Sequence, residues 1–199
     1  MADRLGELRA AAATCTACDL HARATQTVFG EGPRGAALLL VGEQPGDQED
    51  RAGHPFVGPA GGILDRAPTD AGIDRGDVYV TNAVMHFKWK PRGKRRLHDK
   101  PNRKEMVACK QWLDAELEAV DPEVIVLLGA TAGQALFGAK FRVGAARGQV
   151  LDLDGDPVVA TIHPSAVLRA EDGPDRDDLY DGLVADLRRA AELARSSVT

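Results

Sequence analysis

Two thiols three positions apart, Cys15 and Cys18, come first among the residues able to do chemistry, and Cys109 is the third and last cysteine. An odd, sparse count does not make a disulfide framework, and a C-x-x-C pair in a reducing compartment suits a metal site or a redox couple. Two carboxylates, Glu43 and Asp47, stand in the segment GEQPGD with Gln44 between them. A carboxylate held in such a loop stabilises a carbon that becomes cationic. His98 ends a basic stretch, and His163 opens the triplet HPS. A neutral imidazole attacks an electron-poor carbon, or donates a hydrogen bond to a leaving group that becomes an anion. Asn82 closes an apolar run, and a fixed carboxamide tells heterocycle edges apart by its acceptor and its donors. Phe56, in HPFVG, offers a flat face for stacking. Each residue alone has an ordinary explanation as a core Phe, a turn Asn, a structural His or a solvated acid. Only their convergence gives them weight.

The elements that must position them are legible from periodicity. Continuous apolar runs at 36–41, 78–84, 123–129 and 157–162 read as strands covered on both faces. Helical patterns run to about residue 13 and over 60–71, 103–120, 131–137 and 179–194, with Pro68 expected to kink the second or end it early. The stretch 92–102 reads as a long exposed loop. Strand–helix alternation without repeat or linker predicts one α/β domain over 1–199, three-layer α/β/α, with a central, mostly parallel four-stranded sheet. Open parallel sheets bind ligands at the carboxyl ends of their strands. The segments leaving those ends begin at Gly42, Asn82, Gly129 and His163, so one rim gathers the polar residues.

Net charge is −5, yet residues 88–104 carry nine Lys and Arg against Asp99 alone. A concentrated basic loop on an acidic body makes a local anion footprint, although from charge alone a solvated loop explains it equally well. No stretch is apolar for long enough to cross a bilayer, so no membrane partner is expected. The start, MADRLGELRAAAA, is a mixed-charge helical segment and not a secretion signal, which makes the cytoplasm the expected location and a monomer the default state.

Four segments in order carry a resemblance. GEQPGDQED, continued by GHPFVGPAG, resembles the first active-site motif of the iron-sulfur (family 4) uracil-DNA glycosylases. HPS followed by AVLR resembles their second motif, TNAV their uracil-reading strand, and the Cys pair with ATQTVFG their N-terminal cluster region. The insertion GKRRLH, ending at His98, is similar to the one that marks the UdgX class, in which the loop histidine becomes covalently linked to DNA.

The resemblance implies a base-excision DNA-repair activity: release of free uracil from uracil-containing DNA, single strands included, followed by a stable bond from His98 to C1′. An ordinary turnover enzyme of the family, or a non-catalytic DNA-binding module, is the alternative. The base is taken out of the stack and read by its Watson–Crick edge. Phe56 stacks on it, Asn82 faces N3–H and O4, His163 donates to O2, Gln44 contacts base or backbone, and Arg169 helps hold the anion or a neighbouring phosphate. Glu43 and Asp47 are the carboxylates near C1′, and Glu43 orients His98. Lys94, Arg95, Arg96 and Ser165 are expected on DNA phosphates. The resemblance also implies a [4Fe-4S] cluster. Its fourth cysteine position is here occupied by His86, so Cys15, Cys18, His86 and Cys109 are the expected ligands, with His21 a weaker rival. Zinc on the same residues, or a redox pair, is the alternative from the residues alone.

Overall fold

The structure, a computed structural model, describes residues 3–197. In chain order its elements are α1 (Arg4–Ala12), β1 (Leu38–Gly42), α2 (Asp47–Ala52), α3 (Pro59–Asp70), β2 (Val78–Asn82), β3 (Trp89–Arg92), β4 (Arg95–His98), α4 (Arg103–Val120), β5 (Val124–Leu128), α5 (Ala130–Phe137), α6 (Val143–Ala146), β6 (Val150–Leu153), β7 (Asp156–Thr161), α7 (Ser165–Arg169) and α8 (Pro174–Ser197). The four expected strands pair in parallel, in the order β2-β1-β5-β7. Their side chains divide strictly by period two. Leu38, Leu40, Val78, Val80, Val124 and Val126 pack with α3 and α8. Leu39, Val41, Tyr79, Ile125 and Leu127 pack with α4 to α6 on the other face. Helices on both faces explain why the strands lack polar alternation. No helix among the described residues is long and apolar enough to cross a membrane.

Three expectations change. The sheet has five strands, because β6 pairs antiparallel with β7 at the edge. Asp154 and Gly155 make the tight turn between them, with φ of 56° and 105°, the left-handed pair a two-residue hairpin needs. Pro68 does not end α3 early: the helix continues to Asp70, and the Pro68 carbonyl accepts from the N–H groups of Ala71 and Ile73 at 3.0 and 2.9 Å. Residues 92–102 are not all loop. β3 and β4 form a separate antiparallel ribbon, Trp89 paired with His98, closed by Gly93-Lys94 with Gly93 at φ 58°.

The strand order places a switch between β1 and β5, where neighbouring connections leave in opposite directions. A crevice must open there, and the candidate site occupies it.

Candidate functional site

A cleft of about 740 Å³ lies at the carboxyl ends of the parallel strands and is lined by Glu43, Phe56, Asn82, His98, His163 and Arg169 among others. Glu43 leaves β1 and Thr131 sits in the first turn of α5, so their contact spans the switch. The Thr131 hydroxyl donates to one carboxylate oxygen of Glu43. The other oxygen, Oε1, accepts from His98 Nε2 at 3.0 Å. Burial pushes the Glu43 carboxyl up, but hydrogen bonds from His98 and Thr131 outweigh it and leave its pKa below the ordinary value. The carboxylate is therefore charged at neutral pH and holds a proton on the imidazole.

His163 stands across the cleft. Its Nδ1 accepts the Ser165 backbone N–H at 3.1 Å and lies 2.8 Å from the Ser165 hydroxyl. A backbone N–H only donates, so Nδ1 carries the lone pair and the ring proton sits on Nε2. Burial lowers the His163 pKa to about 4, which keeps the ring neutral. Arg169 donates to the same Ser165 hydroxyl oxygen at 2.8 Å.

Asn82 is 3% exposed, and its carboxamide has no hydrogen-bond partner among the described residues. A buried amide left open toward a cleft has donor and acceptor capacity to offer a bound group. Gly42 makes this arrangement possible: a Cβ there would lie 2.4 Å from Asn82 Oδ1 and 2.7 Å from Phe56 Cζ. Phe56 itself adopts φ 56°, a conformation costly for a bulky side chain. Its ring faces His163 with centroids 6.3 Å apart and planes at 28°.

The structure corrects four assignments. Gln44 does not offer its side chain to a base: Nε2 donates to the carbonyls of Lys88 and Asp99 at 3.1 and 3.0 Å, and Oε1 accepts from Lys88 N–H at 3.1 Å. It ties together the two feet of the β3–β4 ribbon. Arg96 is not a phosphate contact. It is paired with Asp47 at 2.5 Å and with fully buried Asp50 at 2.6 Å, and lies over the Phe87 and Trp89 rings. Asp47 is accordingly spent on Arg96 and Arg51: desolvation pushes its carboxyl up, but the hydrogen bonds and charges of the two guanidinium groups together hold it below the usual range. It anchors the ribbon and leaves Glu43 as the carboxylate paired with His98. The Ser165 hydroxyl is committed to His163 and Arg169 rather than to phosphate. Lys94 and Arg95, at the ribbon's tip, are exposed and have no charge partner among the described residues.

Two further residues of this region were not foreseen. Thr131 gave no signal in sequence beyond its place after a strand. Glu49 accepts from the Gly46 and Gly58 N–H groups at 3.1 and 2.8 Å, joining the two halves of the GEQPGD and HPFVG segments. Its position three residues after a helix start was the available sign.

Among the described residues no group of three or more His, Cys, Asp or Glu closes on a point where a metal ion would sit. The three thiols are neighbours nonetheless. Burial pushes the thiols of Cys18 and Cys109 up, Cys109 to about 12, and a thiolate at Cys15 would raise both further. Two N–H groups point at sulfur: Met85 N to Cys109 at 3.3 Å and Trp112 Nε1 to Cys15 at 3.2 Å. His86 is 5% exposed, makes no hydrogen bond among the described residues, and is kept neutral by burial. His21 donates from Nδ1 to the Cys18 carbonyl at 2.7 Å, which fixes its ring beside the Cys pair and leaves Nε2 uncommitted.

The fold and the cleft define a chain that belongs to the uracil DNA glycosylase superfamily, whose family model matches residues 29–188. A type-4 uracil-DNA glycosylase of Thermotoga maritima is 43% identical over 157 residues, 78% of each chain. One of Archaeoglobus fulgidus is 36% identical over 188 residues, 90% of this chain and 88% of its own. A type-5 uracil-DNA glycosylase of Pyrobaculum aerophilum is 31% identical over 151 residues, 67% of this chain and 63% of its own.

Proposed function

We propose that this chain excises uracil from DNA and then bonds covalently, through His98, to the sugar left behind. The observation that carries the second half is the Glu43–His98 pair at 3.0 Å on the lip of the cleft. It sets an imidazole against a carboxylate that can take its proton, beside a pocket furnished to stabilise a departing base. The similarity to type-4 uracil-DNA glycosylases supports the first half.

The flipped uracil stacks on Phe56, and Asn82 accepts from N3–H and donates to O4. Cytosine reverses both groups and is rejected by opposed donors and acceptors. As the N-glycosidic bond breaks, its electron pair leaves with uracil N1, and His163 Nε2–H stabilises the charge developing at O2. C1′ becomes electron-poor beside the Glu43 carboxylate. The lone pair of one His98 nitrogen forms the new bond to C1′, and the ring proton passes through Glu43 to solvent or to the uracil anion. The product is a glycosyl imidazole and free uracil, with no water added. Lys94 and Arg95 meet backbone phosphates, which makes binding salt-sensitive.

We also assign a [4Fe-4S] cluster to Cys15, Cys18, Cys109 and His86, supported by the grouped thiols, the two N–H···S contacts and the buried, unpartnered imidazole. When bound, it cross-links the N-terminal segment to the body.

The test is a denaturing gel of the protein with an end-labelled single-stranded oligonucleotide carrying one uracil, beside a thymine control and His98→Ala. The expected result is a uracil-dependent shifted band that His98→Ala lacks. Alkali-sensitive strands without any shifted band would mean a turnover glycosylase, in which water takes the place of His98. Neither signal would leave only a binding module.

A further inference from the structure

We infer that a groove beside the cleft, between the first turns of α4 and the C-terminal half of α5, seats one nucleotide of the same DNA strand, next to the excised uracil. The inference rests on the cleft being a uracil-DNA glycosylase site. The groove encloses about 430 Å³ and is lined by Lys100, Arg103, Met106, Val107, Lys110 and Leu136 among others. Lys100 lines both the groove and the cleft, so the two are adjacent. It follows His98 by two residues, which keeps their Cα atoms within about 7 Å. That is roughly two stacked base rises of 3.4 Å, so a strand held at His98 reaches Lys100, at the edge of the groove, within one or two nucleotides.

The lining divides as a nucleotide does. Met106, Val107, Ala135 and Leu136 supply an apolar wall, and Val107 is 64% exposed. Such a wall suits the face of a base. Lys100 and Arg103 sit at the rim with no charge partner among the described residues. Lys88, Lys90 and Arg96, by contrast, are neutralised within the chain by Glu105, Asp99, Asp47 and Asp50. Lys110 is paired with Asp114 at 2.5 Å. No acidic residue lines the groove among the described residues. A cationic rim over an apolar wall, without acids and adjacent to the cleft, matches a phosphate and its base better than a free small molecule or a protein segment.

The experiment measures single-turnover uracil release from single-stranded oligonucleotides that carry one uracil and grow by one nucleotide at a time on either side. Wild type is compared with Arg103→Glu, Val107→Glu and, as a charge control outside the groove lining, Lys104→Glu. All three positions are exposed, and thermal melts check that the variants fold. For wild type, the half-saturating concentration is expected to fall when the nucleotide that reaches the groove is added, on one side of the uracil only. Arg103→Glu and Val107→Glu lose that step, and Arg103→Glu lowers the slope of log K against log salt by ~0.7, the value of one single-strand phosphate contact. Lys104→Glu keeps the step. If both groove variants keep it, or if Lys104→Glu loses it equally, the groove assignment is overturned while uracil release stands. No uracil release by wild type from any oligonucleotide would overturn the reading of the cleft, and the groove assignment with it.

Discussion

Replacing Thr131 by valine removes one hydroxyl and keeps the shape, so it isolates what holds Glu43 in place. Thr131 is 2% exposed, and its hydroxyl donates to the Glu43 oxygen that does not face His98. A hydrogen bond to a charged group is worth roughly 1.5–3 kcal/mol, so the step that needs an ordered Glu43 carboxylate is expected to slow roughly 10- to 150-fold. The pH dependence gives a second readout. The carboxyl sits below its ordinary value because hydrogen bonds from His98 and Thr131 overcome burial. The charged form is the active one, so activity falls as pH drops through this pKa. Without the Thr131 contribution burial is less opposed, and the acid limb moves to higher pH. Single-turnover rates of band-shift formation across the acid range measure both effects. Thr131→Ser restores the hydroxyl and is expected to return the limb to its original position, whatever it loses through the missing methyl. A valine variant with an unmoved acid limb, or a serine variant that behaves like valine, would refute the positioning role.

Three other outcomes follow from named contacts. Arg96→Leu strips the buried Asp50 carboxylate of its charge partner, and is expected to destabilise by about 3–5 kcal/mol and to raise hydrogen exchange across 88–99, read by thermal melts and mass spectrometry. Gly42→Ala places a methyl against Asn82 and Phe56, and is expected to abolish uracil release while the chain still melts cooperatively; retained activity would contradict the close approach. Glu116 is raised from 4.5 to about 7 by burial. The folded state holds its proton more tightly than the unfolded chain, so this group weakens the fold as pH rises from 4.5 to about 7. Glu116→Gln removes that dependence, and its urea midpoint relative to wild type is expected to gain on the order of 3 kcal/mol between pH 4.5 and about pH 8.

What the sequence disclosed was whatever depends on local pattern. Runs such as LLLVG and VIVLL announce strands buried on both faces, and the residue after each run marks the rim, which is how Asn82 and His163 were placed. The edge strand β6 was missed although Asp154-Gly155 is a hairpin signal, because its exposed alternation carries little apolar weight. The ribbon was missed for the same reason: its sequence alternates nothing, and Gly93 was the one sign of a turn. Pairings between distant residues leave no local trace. Arg96 looked like its neighbours Lys94 and Arg95, and only the fold brings it 49 positions back to Asp47. Glu116 on α4 drew no notice in sequence, yet it is fully buried and accepts from Tyr79, Thr81 and Gly30 at 2.8, 2.7 and 2.9 Å. Gln44 shared a motif with Glu43 and was expected on base or backbone, whereas its side chain turns to the ribbon.

The ribbon of β3 and β4 is a sheet of its own, joined to the body through Gln44, Asp47 and Asp50 and contributing no strand to the central sheet. On the proposed reading, choice of base belongs to deeply packed parts of the molecule, Asn82 and His163 at strand ends. On the same reading the fate of the sugar belongs to an appendage outside the central sheet, so exchanging residues 88–99 is expected to change how the reaction ends while leaving what is recognised unchanged.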